Sequence, residues 1–207
     1  MYRHTKQIVA GGTPSAEANQ ALIMLHGRGA SAESILDMAD RFNLKQTAIF
    51  APQATNNSWY PYSFMVATDQ NQPTLDSALD VISELIHDIL NLGIPAKKIF
   101  LLGFSQGACL ALEYASRHAV AYGGVIAFTG GLIGDKLNLL NYLGDFKNTP
   151  ILITTGDPDS HVPLSRVDES VAVLKDLHAN VTLRVYKGRP HSILKEEIEL
   201  ANQLIFK

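Results

Sequence analysis

The chain has 207 residues, of which 46% are hydrophobic and 18% are charged, and its formal net charge is −3. A chain of this length fits one domain of about 100–200 residues, and its apolar content excludes an intrinsically disordered protein. The 17 basic residues form no stripe with interleaved aromatics, so we expect no nucleic-acid partner. The single cysteine excludes an internal disulfide bond and a four-cysteine zinc site.

The sequence contains neither a predicted leader nor a predicted membrane span. The N-terminal stretch lacks the apolar core of a secretory signal, and no run of about 18 apolar residues occurs. We therefore expect a soluble cytoplasmic protein with no stable membrane association.

Short apolar runs alternate with helical patterns along the chain. Five continuous apolar runs predict buried strands, because they are too short for helices and are bounded by glycine, proline or polar residues. These runs are residues 21–25, 47–51, 99–102, 124–128 and 151–154. Residues 181–186 alternate apolar and polar side chains, as a strand near the edge of a sheet does.

Four helices are predicted between or after these strands. The first has apolar residues at steps of three and four from Leu75 to Ile89, and Gly93 marks its end. The others are expected near residues 106–117, 167–177 and 194–205. Continuous apolar strands suit a parallel sheet covered on both faces, so this alternation predicts a single doubly wound α/β domain over residues 1–207.

The most informative motif is Gly103-Phe104-Ser105-Gln106-Gly107, which fits the G-x-S-x-G pattern. It lies between a predicted strand and a predicted helix, where a serine stands on a sharp turn with its Oγ above the sheet. Glycine is needed at positions 103 and 107 because side chains there would collide with the neighbouring strand and helix. Ser105 is therefore the predicted nucleophile.

A serine nucleophile needs a base, and this type of fold supplies its triad in the order serine, acid, histidine. Three histidines follow the helix after Ser105, namely His161, His178 and His191. His178 ends a helical stripe, and His161 lies too close to the acidic loop. His191 lies between the last strand and the last helix, where sites of open α/β sheets gather, and is the predicted base.

The acid is expected after the strand at 151–154, where Asp157 and Asp159 both stand. Either carboxylate can hydrogen-bond the imidazole and fix its tautomer, and the spacing alone leaves the choice open. A metal site of these aspartates with His161 is the rival interpretation, but adjacent loop residues rarely converge on one ion. We expect no metal site.

Two backbone N–H groups are predicted to bind the oxyanion of the tetrahedral intermediate. One belongs to Gln106, directly after the nucleophile, and the other to Arg28, in the glycine-containing loop after the strand at 21–25. His26 is expected to brace this loop. The loop matches neither phosphate-binding glycine motif, so a nucleotide site is not expected.

Four segments together resemble the phospholipase/carboxylesterase family of the α/β-hydrolases, which includes the acyl-protein thioesterases. They occur in the family's order and are Leu25-His-Gly-Arg-Gly29, Gly103-Phe-Ser-Gln-Gly-Ala108, Gly156-Asp-Pro-Asp-Ser-His-Val-Pro163 and His191-Ser-Ile193. The resemblance implies an α/β-hydrolase fold with a mostly parallel central sheet, helices on both faces and no separate cap domain.

The resemblance also implies the site residues. Ser105 is then the nucleophile and His191 the base, with the amides of Arg28 and Gln106 as the oxyanion hole. The acid is implied to be Asp159, because the family's aspartate stands four residues before the proline of the Val-Pro pair.

The chain departs from the family pattern at two places. Arg189 and Pro190 precede the histidine, where small residues are more usual, and Pro190 restricts its predecessor to extended conformations. How this loop holds His191 is therefore open. Arg28 stands where the thioesterases tend to carry an apolar residue. Its side chain either meets a polar or anionic substrate or points to solvent, and solvent is the simpler expectation.

The segment 56–64 is dense in aromatic residues and follows the strand at 47–51. Trp59, Tyr60 and Phe64 are predicted to line the substrate pocket, together with Leu132 after a later strand. The alternative for the aromatics is a loop pinned to the core. Cys109, one turn into the helix after Ser105, is expected to be a buried small hydrophobe.

The resulting hypothesis is a serine carboxylesterase for small or short-acyl esters, which forms an acyl-enzyme and needs no cofactor. An acyl-protein thioesterase or lysophospholipase would use the same triad. A non-catalytic ligand-binding module on the same fold is the alternative of another class. The expected partner is a small-molecule ester, and a homodimer is left open.

Overall fold

The computed structural model describes residues 2–207, which contain a seven-stranded sheet with helices on both faces. The strands are β1 (Ile8–Gly12), β2 (Gln20–Leu25), β3 (Thr47–Pro52), β4 (Ile99–Phe104), β5 (Gly124–Phe128), β6 (Pro150–Asp157) and β7 (Asn180–Lys187). Their order across the sheet is β1-β3-β2-β4-β5-β6-β7. Neighbouring strands are parallel except β1, which is antiparallel to β3.

The α-helices lie in the segments that connect or follow these strands. They are α1 (Ala32–Leu36), α2 (Thr68–Asn71), α3 (Thr74–Asn91), α4 (Gln106–Arg117), α5 (Leu164–Asp176) and α6 (Lys195–Leu204). The four predicted helices correspond to α3, α4, α5 and α6, and the six predicted strands correspond to β2 through β7. The predicted α/β class with a mostly parallel sheet is confirmed.

The strand β1 is absent from the sequence prediction. Its five residues end in two glycines, which are poor strand formers, so no apolar run of strand length is visible. The strand exists because β3 offers an unpaired edge, against which Ile8 lies opposite Pro52 and Gly12 opposite Ala48. Tertiary pairing has overridden weak local propensity.

The central strand β2 shows how the sheet is buried on both sides. Leu22 and Met24 pack into one apolar cluster with α1 and α6, whereas Ala21, Ile23 and Leu25 pack into a second cluster with α3 and α4. All five side chains are wholly buried. Burial of each large one stabilises the fold by roughly 1.5–3 kcal/mol. The low charged fraction of the chain follows from this two-sided core.

The parallel strands bring the predicted site residues to one edge of the sheet. Ser105 follows β4, Asp159 follows β6 and His191 follows β7, and the carboxyl ends of parallel strands meet at the same edge. Among residues 2–207, the helices are all too short or too polar to cross a lipid bilayer.

Candidate active site

Ser105 stands on the turn that joins β4 to α4. Its backbone has φ 53° and ψ −117°, a conformation that residues with a Cβ rarely adopt. Its N–H donates a hydrogen bond of 3.0 Å to the carbonyl of Phe128 on β5. A Cβ on Gly103 would overlap the backbone of Gly107, and one on Gly107 would overlap the carbonyl of Leu25. The structure therefore confirms that a side chain at either glycine would collide with the neighbouring strand or helix.

His191 bridges the serine to a carboxylate. Its Nε2 lies 2.8 Å from the Ser105 Oγ, and its Nδ1 lies 2.8 Å from the Asp159 Oδ2. An ionised carboxylate only accepts hydrogen bonds, so the Nδ1 carries the proton. The Nε2 lone pair is then free to accept the serine proton. The structure thus brings together three residues that lie up to 86 positions apart in sequence.

The Asp159 side chain is fully buried, whereas that of His191 is 23% exposed. Burial by itself raises the pKa of Asp159. Hydrogen bonds from His191 and from the N–H groups of His161 and Val162 outweigh it, so the pKa lies below its usual value. Asp159 therefore stays ionised at neutral pH. Asp157, the other candidate from the sequence, is exposed at the end of β6.

Arg28 and Gln106, whose backbone N–H groups are predicted to form the oxyanion hole, line the same cavity as Ser105. Gln106 is the first residue of α4, so its N–H has no acceptor within the helix. Arg28 lies in the loop after β2, and both residues line the cavity next to Ser105. Helix N-termini present partial positive charge, which favours an oxyanion there.

The Arg28 side chain fastens the loop that borders the cavity. Its Nη1 donates to the Pro61 carbonyl at 2.8 Å and to the Ser58 Oγ at 3.0 Å, and its Nη2 donates to the Tyr62 carbonyl at 2.6 Å. The guanidinium also lies 5.8 Å from the centre of the Tyr60 ring. Arg28 is exposed, in line with the expectation that it lies toward solvent, but its guanidinium is also hydrogen-bonded to the loop carbonyls.

The Gln106 side chain also forms hydrogen bonds with this loop. Its Oε1 accepts a hydrogen bond of 2.9 Å from the Trp59 backbone N–H, and its Nε2 donates one of 2.8 Å to the Tyr60 carbonyl. Gln106, the residue after Ser105, thus connects the aromatic loop to the start of α4. The sequence motif gave no signal for this contact, because it fixes only the glycines and the serine.

Two neutral histidines hold Trp59 in the interior. The His26 Nδ1 donates to the Gly27 carbonyl and its Nε2 accepts from the Ala54 N–H, while the Trp59 Nε1 donates to the His26 carbonyl. The His4 ring lies on the other side and contacts the Trp59 carbonyl at 3.0 Å. Burial lowers the pKa of both histidines. The predicted bracing role of His26 agrees with these contacts.

The cavity beside Ser105 has a volume of about 760 Å³. Tyr60 and Phe64, both predicted to contact substrate, line it. Trp59 and Leu132 carry the same prediction, but neither is among the residues that line the cavity, and both are wholly buried. The Trp59 indole faces His26, and the backbone of Leu132 is bonded to α5. For Trp59, the alternative of a side chain pinned to the core describes what the structure shows.

Cys109 also borders the cavity, yet its environment disfavours a thiolate. Burial raises the pKa of the thiol to about 12, so it stays protonated at neutral pH. This agrees with the expectation of a buried small hydrophobe. Within residues 2–207, no group of three metal-ligating side chains is arranged to hold an ion.

Comparison with known proteins identifies the family. The sequence profile described as phospholipase/carboxylesterase matches residues 6–207. The chain belongs to the phospholipase/carboxylesterase family. It is 27% identical over 208 residues to acyl-protein thioesterase 1 of Saccharomyces cerevisiae, covering 88% of this chain and 89% of that protein. It is 32% identical over 153 residues to acyl-protein thioesterase 1 homolog 1 of Dictyostelium discoideum, covering 72% of this chain and 67% of the relative.

Among solved structures, the chain resembles a phospholipase/carboxylesterase from Dyadobacter fermentans. The TM-score is 0.98 and the identity 56%, and the match covers all of this chain and 99% of the other. The α/β-hydrolase fold implied by the sequence motifs is thereby confirmed. Family membership and the names of these relatives support an ester-hydrolysing enzyme.

Proposed function

We propose that this enzyme is a serine carboxylesterase that hydrolyses small or short-acyl esters through Ser105, His191 and Asp159. The observation that carries the proposal is the continuous hydrogen-bonded series from the Ser105 Oγ through the imidazole to the Asp159 carboxylate, with 2.8 Å at each step. This is the geometry in which a histidine takes the proton of a serine hydroxyl.

The proposed reaction has two halves. In the first, the Ser105 Oγ attacks the ester carbonyl while the His191 Nε2 takes its proton, and the N–H groups of Arg28 and Gln106 hold the oxyanion. The imidazolium then protonates the leaving alcohol, and an acyl-enzyme remains. In the second, His191 activates a water molecule that releases the acid. Asp159 keeps the imidazole in the right tautomer and stabilises its charged form.

The cavity supports a small ester as substrate. Its lining mixes aromatic side chains such as Tyr60, Phe64 and Phe104 with polar ones such as Ser63 and Ser160. A ligand with one short apolar group and a polar remainder suits this mixture better than a long acyl chain. A thioesterase with the same triad is the second candidate, because the relatives from yeast and Dictyostelium carry that name.

The proposal is tested by labelling with a fluorophosphonate probe, followed by mass spectrometry of the adduct. We expect an adduct on Ser105 in the wild type and none in Ser105→Ala. An unlabelled wild type, or an adduct of equal yield on the variant, contradicts the triad. Hydrolysis is then compared across esters and thioesters from acetyl to palmitoyl. A preference for palmitoyl thioesters would favour the second candidate.

A further inference from the structure

The loop that carries His191 wraps around an arginine side chain. Arg189 lies two residues before the histidine, between β7 and α6, and its side chain is only 1% exposed. Arginine is almost never fully buried unless its charge and its donors are satisfied. The partners of this guanidinium therefore indicate what it does.

The first partners are backbone carbonyls on either side of His191. The Arg189 Nη1 donates to the carbonyl of Ser192 and, at 3.3 Å, to the carbonyl of Pro190. The two residues that flank the histidine are thus bonded to one nitrogen of the guanidinium. Any change in the backbone around His191 has to stretch at least one of these hydrogen bonds.

The second partner connects the loop to the structure that holds the nucleophile. The Arg189 Nη2 donates at 2.5 Å to the Oγ1 of Thr129, the residue directly after β5. The last residue of β5, Phe128, accepts the hydrogen bond from the Ser105 N–H. Through Thr129 and the adjacent Phe128, the guanidinium therefore connects the loop that carries His191 to the backbone of Ser105.

The third partner is a buried carboxylate. The Glu197 Oε2 lies 3.8 Å from the Arg189 Nε, and the glutamate side chain is wholly buried. This distance allows charge attraction but no hydrogen bond, so the Nε–H has no hydrogen-bond partner within residues 2–207. Glu197 also accepts hydrogen bonds from the Thr154 Oγ1 and the Leu194 N–H, which fix it at the start of α6. A buried ion pair adds little net stability, because desolvation offsets the attraction between the charges. Stability alone thus gives a weak reason for burying this pair behind a catalytic loop.

We propose that Arg189 is a positioning residue, which sets the distance and angle between the His191 Nε2 and the Ser105 Oγ. This inference rests on the proposed esterase function and extends it to a residue that the triad motifs do not include. Arg189 is not among the residues that line the cavity beside Ser105, and its side chain is hydrogen-bonded to Pro190, Ser192 and Thr129. Its effect on the reaction therefore passes through His191. A planar guanidinium suits the task because it donates in several fixed directions at once.

The main test compares Arg189→Met with wild type in the hydrolysis of a short-acyl ester, at a temperature where both are folded. We expect kcat to fall about 100-fold, the effect of a misplacement of about 1 Å, while KM changes by less than about threefold. The kcat of Arg189→Lys should lie between those of wild type and Arg189→Met, since one ammonium group cannot replace all the donors of the guanidinium. A kcat for Arg189→Met within about threefold of wild type overturns the proposal.

A matched control separates positioning from folding. Arg117 also pairs with a wholly buried glutamate, Glu113, through hydrogen bonds from its side chain, but it lies at the end of α4. Arg117→Met should lower the melting temperature and leave kcat unchanged. An equal loss of kcat in the two variants would show that Arg189 acts only through general stability.

Two further variants keep the inference testable if Arg189→Met folds poorly. Thr129→Val removes one acceptor while the ion pair remains, and we expect kcat to fall by about tenfold with the fold intact. In a His191→Ala background, Arg189→Met should cause no additional loss of the residual rate, because residues that act as a unit are not additive. A further loss in that background contradicts positioning.

These outcomes remain distinct from failure of the proposed function. The wild type is first labelled with the fluorophosphonate probe. Absence of an adduct on Ser105 refutes the triad itself, whereas a labelled wild type with full kcat in Arg189→Met refutes only the role of Arg189.

Discussion

Ser105 and His191 meet at 2.8 Å, but different parts of the molecule hold them there. Ser105 lies on a strained turn between β4 and α4, and its backbone N–H is bonded to Phe128 on the neighbouring strand β5. His191 lies in a loop between β7 and α6, where the side chains of Arg189 and Asp159 fix the backbone and the ring. The comparison shows that Ser105 is positioned by backbone geometry and backbone contacts, whereas His191 depends on side chains from other parts of the chain.

The largest expected effect comes from the carboxylate that fixes the His191 ring. Asp159→Asn should lower kcat by about 10⁴-fold, or roughly 5 kcal/mol of activation free energy, because the amide favours the wrong imidazole tautomer. Asp157→Asn serves as the control and should retain wild-type kcat, since that side chain is exposed at the strand end. Steady-state kinetics on a short-acyl ester measures both. If only Asp157→Asn lost activity, the acid of the triad would be Asp157 and not Asp159.

The next effect tests the local geometry that holds the serine. Gly107→Ala should destabilise the protein by about 3 kcal/mol, because the new Cβ overlaps the Leu25 carbonyl and the backbone must move. Gly93→Ala is the control, since φ is +88° there and open space surrounds the position, so only backbone strain of about 1 kcal/mol applies. Thermal unfolding compares the two. Equal melting temperatures would refute the steric account of the turn.

The smallest expected effect is a pH dependence of stability that arises from His26, which contacts Trp59 of the aromatic loop. Burial lowers the pKa of His26 in the folded state below its usual value of 6.5, so the unfolded state binds the proton more readily. The stability contributed by neutral His26 is therefore present above about pH 6.5 and is lost as the pH falls from there toward its folded pKa.

Protonation of His26 would remove the acceptor of the Ala54 N–H, at a cost of about 1 kcal/mol. Melting temperatures between neutral and mildly acidic pH should thus fall more steeply in wild type than in His26→Gln. The exposed His87 provides the control, and His87→Gln should follow wild type. Parallel curves for wild type and His26→Gln would contradict this account.

Much of the fold could be predicted, because each buried strand forms a short continuous apolar run between turn residues. The strand β1 could not, since its pairing with the edge of β3 supplies what its glycine-ended sequence lacks. The residues predicted to contact substrate also include some that agree with the structure and some that do not. Tyr60 and Phe64 line the cavity as predicted, whereas Trp59 turns inward, because its indole N–H finds an acceptor at His26.

The arginines show where sequence patterns carry too little information. Arg28 and Arg189 both appear in loops, where a charged residue is ordinarily solvated. In the structure the first fastens the carbonyls of Pro61 and Tyr62, and the second fastens those of Pro190 and Ser192. The one signal in the sequence was the departure of Arg189 from the small residues usual before the histidine of this family.

The fold class, the elbow that carries Ser105 and the family all follow from the amino-acid sequence, because each depends on short stretches of contiguous residues. Apolar periodicity and glycine spacing are properties of neighbouring residues, so they are visible in the sequence without knowledge of the fold. The way His191 is held and the choice of aromatic side chains that line the cavity emerge only in the folded chain. Those outcomes depend on hydrogen bonds between residues far apart in sequence, such as Arg189 with Thr129 and Gln106 with the aromatic loop.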